Sequence, residues 1–236
     1  MVNPTQVSIT MTLPVKACLT PLLLCAACCQ ASLCSDGLRQ SPINISANAL
    51  SPIKLAAMVP DYRTAPLRLA NDGHTLRVRF DRGSQLQLGK ERYTLQQFHF
   101  HTPGGDQIDG KNFPFSAHIL HKNASGQLLA ITVPFWVGAD NALLGALLDR
   151  LPPRVDGDHK HPDFSVNARQ MLPTNLGYYR YSGSLTDTPC TEGVTWIVMK
   201  QPLELSSDQL AHWRKRFADN MRDINPLHGR VVQESH

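Results

Sequence analysis

The sequence predicts a mainly β domain with short peripheral helices. Three observations carry that. Prolines number 17 in 236 residues, while charged residues make up only 18%. That balance suits a loop-rich sheet protein better than a helical bundle. Several short segments alternate apolar and polar residues, the period of a half-buried strand. Just two segments keep a helical period. With 42% hydrophobic residues the chain has the apolar surface for a full core, and its length fits one domain or two small ones. A mean hydropathy of −0.23 excludes a polytopic membrane protein. The 23 Lys and Arg against 19 Asp and Glu are scattered along the chain, so no nucleic-acid partner is expected.

Taken in order, the chain opens with an export signal. Lys16 is the one charged residue among the first 35. An apolar run from Ala17 to Cys29 follows, too short and too broken by Pro21 to form a stable transmembrane span. A positive residue, an apolar stretch and then small residues read as a signal peptide over 1–33. Residues 34–236 are then the folded domain, periplasmic or secreted. Met11 is an alternative start, and Cys28 or Cys29 is a poor match to a lipoprotein anchor. Four of the six cysteines lie in this segment. The remaining pair, Cys34 and Cys190, reads as one disulfide in an exported chain or as two buried thiols in a reducing one. Cys25, Cys28 and Cys29 lack the second half of a zinc knuckle.

Residues 41–60 are Pro-rich and irregular. Asn71-Asp72-Gly73 marks a turn, and Thr75–Phe80 alternates as a strand. Gln85–Leu88, Tyr93–His101, Phe115–His121, Leu128–Trp136 and Trp196–Met199 read as further strands. Asp109-Gly110 is a turn signal before the third of these. The first helix places Leu143, Leu144, Leu147, Leu148 and Leu151 on one face, capped by Asp140-Asn141. The second starts at a Ser206/Gln209 capping box and continues as a stripe of Leu210, Trp213, Phe217 and Met221, read as core packing.

Gln97-Phe98-His99-Phe100-His101 is the segment that speaks to chemistry. Side chains on a strand alternate faces, so His99 and His101 point one way and the phenylalanines the other. Two imidazoles side by side can share a metal. His118 on the next predicted strand completes a three-nitrogen set if the two strands pair, while His121, three residues on, faces away. Three neutral imidazoles leave the fourth tetrahedral position open, as in a catalytic zinc site. Alone, a His-x-His pair on an ordinary strand is also a common accident.

Gln97-Phe98-His99-Phe100-His101-Thr102-Pro103 closely resembles the α-class carbonic anhydrases in their bacterial exported form. Other matches follow in the same order: Gln40–Ile45, Asn71–Thr75, Ala117–His121, Tyr178–Thr186, Cys190–Trp196, Asn220-Met221-Arg222 and Gly229-Arg230. The resemblance spans about residues 34–232. It implies a large twisted, mostly antiparallel central sheet and zinc-dependent reversible hydration of CO2 to bicarbonate. It assigns zinc to His99, His101 and His118, and hydroxide orientation to Thr186. His74 would be the proton shuttle, and Leu120, Leu185, Val194 and Trp196 the CO2 pocket. Gln97 and the carbonyl of Asn220 would hold two of the ligands, and Cys34 with Cys190 would be the family disulfide.

The departures gather around the metal. Gly105 stands where the family has the glutamate that accepts the threonine's proton, and Asp106 replaces it only if the glycines bend the chain. Ser116 stands where the family has the glutamate that holds the third ligand; losing such a partner costs ~10–100-fold in affinity or activity. Asp187 follows Thr186 in place of a threonine. Its charge is expected to repel bicarbonate and raise the pKa of zinc-bound water, or else to accept from Thr186. The family's N-terminal aromatic segment has no counterpart before Cys34. Three readings follow: a carbonic anhydrase of reduced efficiency, which the retained ligands, His74, Thr186 and pocket favour; a zinc-binding relative with little activity that serves as a binding module; or a degraded gene product. A metalloprotease is disfavoured, for there is no His-Glu-x-x-His.

Overall fold

The structure is a computed structural model that describes Met1, Cys34 and residues 37–51, 53–152 and 155–235. The segment read as a signal peptide lies outside the described residues, apart from Met1.

Eight strands form the spine of one large sheet. In chain order they are β1 (Ala65–Asn71), β2 (Leu76–Arg79), β3 (Glu91–His101), β4 (Phe115–Asn123), β5 (Leu128–Val137), β6 (Asp156–Val166), β7 (Tyr178–Ser184) and β8 (Glu192–Met199). Their spatial order is β6-β1-β2-β3-β4-β5-β8-β7. All neighbours are antiparallel except β5 and β8, which run parallel. Short strands extend the sheet beyond β7, and Gln85–Leu88 pairs with the first half of β3.

Each strand expected from the sequence is present, with Trp196–Met199 the second half of a longer one. Turn chemistry fixes the joints. Asn71 Oδ1 accepts from Gly73 N at 3.0 Å, and Gly73 has φ +82°, so the β1–β2 turn needs its glycine. At Asp109-Gly110 both residues have positive φ, 49° and 72°, the geometry of a tight primed hairpin turn.

Strand alternation divides the sheet into two faces. Phe98, Phe100, Ala117, Ile119, Ile131, Ile197 and Met199 belong to the main apolar core. Trp213 of helix α2 (Ser207–Phe217) is fully buried there, with its ring 4.7 Å from Phe100 and 5.5 Å from Phe115. Helix α1 (Ala142–Leu148) adds Leu143, Leu144 and Leu147. Asn141 caps α1 through Leu144 N, and Ser206 with Gln209 forms the expected capping box on α2. The opposite face holds a second cluster that includes Ala130, Tyr181, Val194, Trp196 and Val198, with Leu120 and Leu185 against it. The three histidines stand on that second face.

Met221 departs from the sequence expectation. Helix α2 ends at Phe217, Ala218 is extended and Asp219 takes φ +52°. The chain has therefore left the helix before Met221, which packs toward Gly105 instead of continuing the stripe.

Among the described residues no helix is long and apolar enough to cross a membrane.

Candidate metal centre and active site

Strand register assembles the histidines. His99 pairs directly with His118 across β3 and β4, and His101 lies two residues along the same face of β3. Their exposures are 4%, 1% and 1%. One ring nitrogen of each lies within 4.8 Å of the others, the only such three-residue set among the described residues. His121 faces the other way, fully buried, with Nε2 2.7 Å from the hydroxyl of Tyr62.

Two of the three rings are oriented through their other nitrogen. His99 Nδ1 lies 3.0 Å from Gln97 Oε1, and His101 Nδ1 lies 2.9 Å from the carbonyl of Asn220. Each bond fixes a tautomer and leaves Nε2 to the site. Those Nε2 atoms, and both nitrogens of His118, are buried with no hydrogen-bond partner. Buried polar atoms are rarely left so; a metal ion accounts for one nitrogen of each ring and leaves the second nitrogen of His118 without a partner. Burial is the main force holding His99 and His118 far below the ordinary imidazole value; charge on neighbouring histidines adds to it. Burial likewise brings His101 down to about 4, against the opposing pull of the Asn220 carbonyl. All three are thus neutral near pH 7, the form that ligates.

Beside them lies a cavity of about 190 Å³. Leu120, Leu185, Trp196 and Ala130 give it apolar walls, His99 and His118 one end, and Thr186, Asp187, Gln97 and Arg77 its polar side. Val194 does not line it; it is 3% exposed in the apolar cluster with Trp196. A larger depression of about 520 Å³, between Phe80 and Asn123, holds no histidine.

A model of the eukaryotic-type carbonic anhydrase family matches residues 28–236. A carbonic anhydrase of Pectobacterium carotovorum is 42% identical over 207 residues, spanning 85% of this chain and 82% of the relative. Two solved structures superpose closely. A hyperthermostable carbonic anhydrase from a hydrothermal vent chimney gives a TM-score of 0.81 at 37% identity, covering 85% of this chain and 89% of that one. The α-carbonic anhydrase of Photobacterium profundum gives 0.78 at 32% identity, covering 85% and 91%.

The chain belongs to the eukaryotic-type carbonic anhydrase family. The metal is zinc and the reaction is hydration of CO2. His99, His101 and His118 would hold that zinc, and their donor set of three neutral imidazoles fits it.

Where this carbonic anhydrase departs from its family, the structure answers several sequence expectations. Asp106 does not replace the missing glutamate. It is 3% exposed and accepts from Ile43 N at 3.0 Å, Tyr181 Oη at 2.7 Å and Thr132 Oγ1 at 2.9 Å. Gly105 N meets Ser116 Oγ at 3.4 Å, so the two glutamate positions adjoin each other. Asp187 does not accept from Thr186; its carboxylate takes the guanidinium of Arg77 at 3.2 Å and approaches His74 Nε2 at 4.0 Å. Its charge is therefore partly compensated rather than left to repel bicarbonate. The disulfide joins Cys34 to Cys190 as expected.

Sequence reasoning missed Arg77, Ala130 and the Asp106–Tyr181–Thr132 cluster. Arg77 was legible only as the polar member of an alternating strand; its register opposite His99 is what brings it to the cavity.

Proposed function

We propose that the zinc-dependent, reversible hydration of CO2 to bicarbonate in this protein runs through Thr186 and His74, at reduced efficiency, after export to the periplasm or the medium. The observation that carries the reading is the buried, partnerless nitrogen set of His99, His101 and His118 beside a small cavity that His99 and His118 line. Zinc bound there lowers the pKa of water to about 7 and so supplies hydroxide at neutral pH.

The chain's own groups do the rest. Leu120, Leu185 and Trp196 offer CO2 a dry wall without competing hydrogen bonds, and Val194 backs that wall. Gln97 and Asn220 hold the rings of His99 and His101. Thr186 lines the cavity and would orient the reacting oxygen. His74, whose side chain is 53% exposed and whose Nε2 lies 4.0 Å from Asp187 of the cavity's polar side, would carry the proton out to solvent. Reduced efficiency is supported by two missing acceptors. Gly105 offers Thr186 no carboxylate, and His118 lacks the partner that a glutamate at Ser116 would supply. Those same losses favour the second reading, a zinc-binding module with little hydration activity. Export is supported by the Cys34–Cys190 disulfide, which persists in oxidising compartments.

Purified protein is assayed for zinc content and for CO2 hydration by stopped flow. One zinc per chain with a rate well above buffer is the expected result. Zinc bound without such a rate overturns the enzyme reading and leaves the binding module. Free thiols at Cys34 and Cys190 in protein recovered from its host would overturn export.

A further inference from the structure

Asp187 closes a ring of contacts around His74. Asp72 Oδ1 accepts from the backbone N–H of His74 at 3.0 Å and of Thr75 at 2.8 Å. Its other oxygen lies 3.0 Å from Arg77 Nε. Arg77 Nη2 donates to Asp187 Oδ2 at 3.2 Å, and Asp187 Oδ1 lies 4.0 Å from His74 Nε2. Asn220 adds a bond from Nδ2 to the His74 carbonyl at 2.9 Å, while its own carbonyl holds His101. The backbone of His74 is thus tied to the metal centre, and its ring is approached by a carboxylate that lines the cavity.

An exposed histidine on a turn has several rotamers of similar energy. One of them here meets a braced acceptor on the cavity side. A separation of 4.0 Å is too long for a hydrogen bond and within ion-pair range once the ring is protonated. Two carboxylates and one guanidinium leave the ring of contacts with one negative charge, which an imidazolium balances.

We propose that Asp187, braced by Arg77, is a positioning residue that holds the imidazole of His74 toward the cavity for proton transfer. The proposal rests on the reading of His74 as the proton shuttle. The step is a proton transfer alone: a ring nitrogen takes a proton from the site, and the ring returns to neutral by giving one to buffer. On this view the acid at 187 is a working part of the relay, where the sequence suggested a charge set against bicarbonate or an acceptor for Thr186.

The test uses the full-length zinc-loaded protein and the variants Asp187→Asn, Asp187→Glu, Arg77→Gln and His74→Ala. CO2 hydration is followed by stopped flow from low to high imidazole concentration. At low buffer Asp187→Asn is expected to lose about five- to tenfold in kcat, less than the ~100-fold or more of a full general acid–base group. Its kcat/KM stays unchanged, and high imidazole restores kcat, because free imidazole bypasses the shuttle. Asp187→Glu recovers part of the loss, and Arg77→Gln follows Asp187→Asn more weakly. A lowered kcat/KM that imidazole does not repair would make Asp187 a substrate or loop contact and overturn the proposal. Full low-buffer kcat in His74→Ala sinks the shuttle reading and the proposal with it. A loss in His74→Ala with none in Asp187→Asn sinks the proposal alone. Carbon-13 relaxation of the His74 ring in metal-free protein gives a readout independent of turnover. Asp187→Asn is expected to free the ring, and unchanged ring mobility contradicts the proposal.

Discussion

The imidazole of His118 faces bare backbone at Gly105: a Cβ placed on Gly105 would stand 3.5 Å from His118 Nε2. The same Cβ would lie 3.3 Å from Met221 Sδ and 3.0 Å from Met221 Cε. The thioether therefore fills volume that a side chain at 105 would need. Methionine suits that task because its unbranched chain fits irregular gaps. Gly105 and Met221 are one packing unit, and they have to change together.

Restoring the carboxylate beside Thr186 is expected to raise turnover. Gly105→Glu with Met221→Ala should increase kcat for CO2 hydration by about tenfold or more, the scale on which such supporting partners act. Gly105→Glu alone should gain less, because the methionine end must first move aside. Stopped-flow rates of the two variants decide it. An unchanged rate in a folded, zinc-loaded double variant would show that the missing glutamate does not limit the enzyme.

The Ser116 position calls for a different measurement. Ser116 is 1% exposed and shares the strand face of His118. A glutamate there gives His118 an acceptor and should tighten zinc about 10–100-fold, read by competition with a chelator. It also buries a carboxylate that only the metal-bound histidine repays. The metal-free Ser116→Glu protein should therefore melt below the parent, and the zinc form above its own apo state by a wider margin than the parent shows. A melting point insensitive to zinc in the variant would contradict the assignment.

Much of this was legible because it is periodic. Phe98 and Phe100 alternate with His99 and His101, so one strand announces both a core and a site. The edge strand β6 was not legible. Asp156-Gly157-Asp158-His159-Lys160-His161-Pro162 is polar and holds both Gly and Pro, and only pairing with β1 at the sheet edge makes it a strand. Met221 misled because four residues after Phe217 an apolar side chain still fits a helical stripe. Nothing local reveals that Asp219 turns the chain out of the helix. The Asp72–Arg77–Asp187 chain was hidden for another reason: Arg77 and Asp187 are 110 residues apart, and pattern along the chain does not report such pairs.

His121 predicts a pH dependence of stability. Burial lowers its pKa to about 3, with backbone contacts to Leu129 and Ile119 opposing. In the unfolded chain an imidazole titrates near 6.5. Between those values the unfolded state binds a proton that the native state refuses, so stability falls as pH falls. The stabilisation is whole above the unfolded value and is lost downward toward pH 3. Each such histidine contributes a slope of about 1.4 kcal/mol per pH unit within the window. Urea midpoints of metal-free protein between pH 7 and 4 should show this decline, and His121→Gln should flatten it. A slope unchanged in the variant would mean that other groups account for the decline.

The Cys34–Cys190 bond should couple stability to catalysis. It joins residues 156 apart in sequence, and the chain-entropy model assigns such a loop about 5 kcal/mol. Cys190 also ends the loop that carries Thr186 and Asp187. Its N–H donates to the Asp187 carbonyl at 2.8 Å, and its own carbonyl accepts from Gln40 Nε2 at 3.2 Å. Leu185 N is bonded to the Thr191 carbonyl at 2.9 Å, closing the loop at its base. Freeing Cys190 loosens the support of the two residues between these bonds. The double variant Cys34→Ser, Cys190→Ser should lose several kcal/mol in urea unfolding, up to about 5 on that model. It should also lose kcat in native buffer, where the protein remains folded. Parent protein treated with reductant should match it on both counts. Equal midpoints and equal rates in parent and variant would leave the bond a bystander to both the fold and the loop.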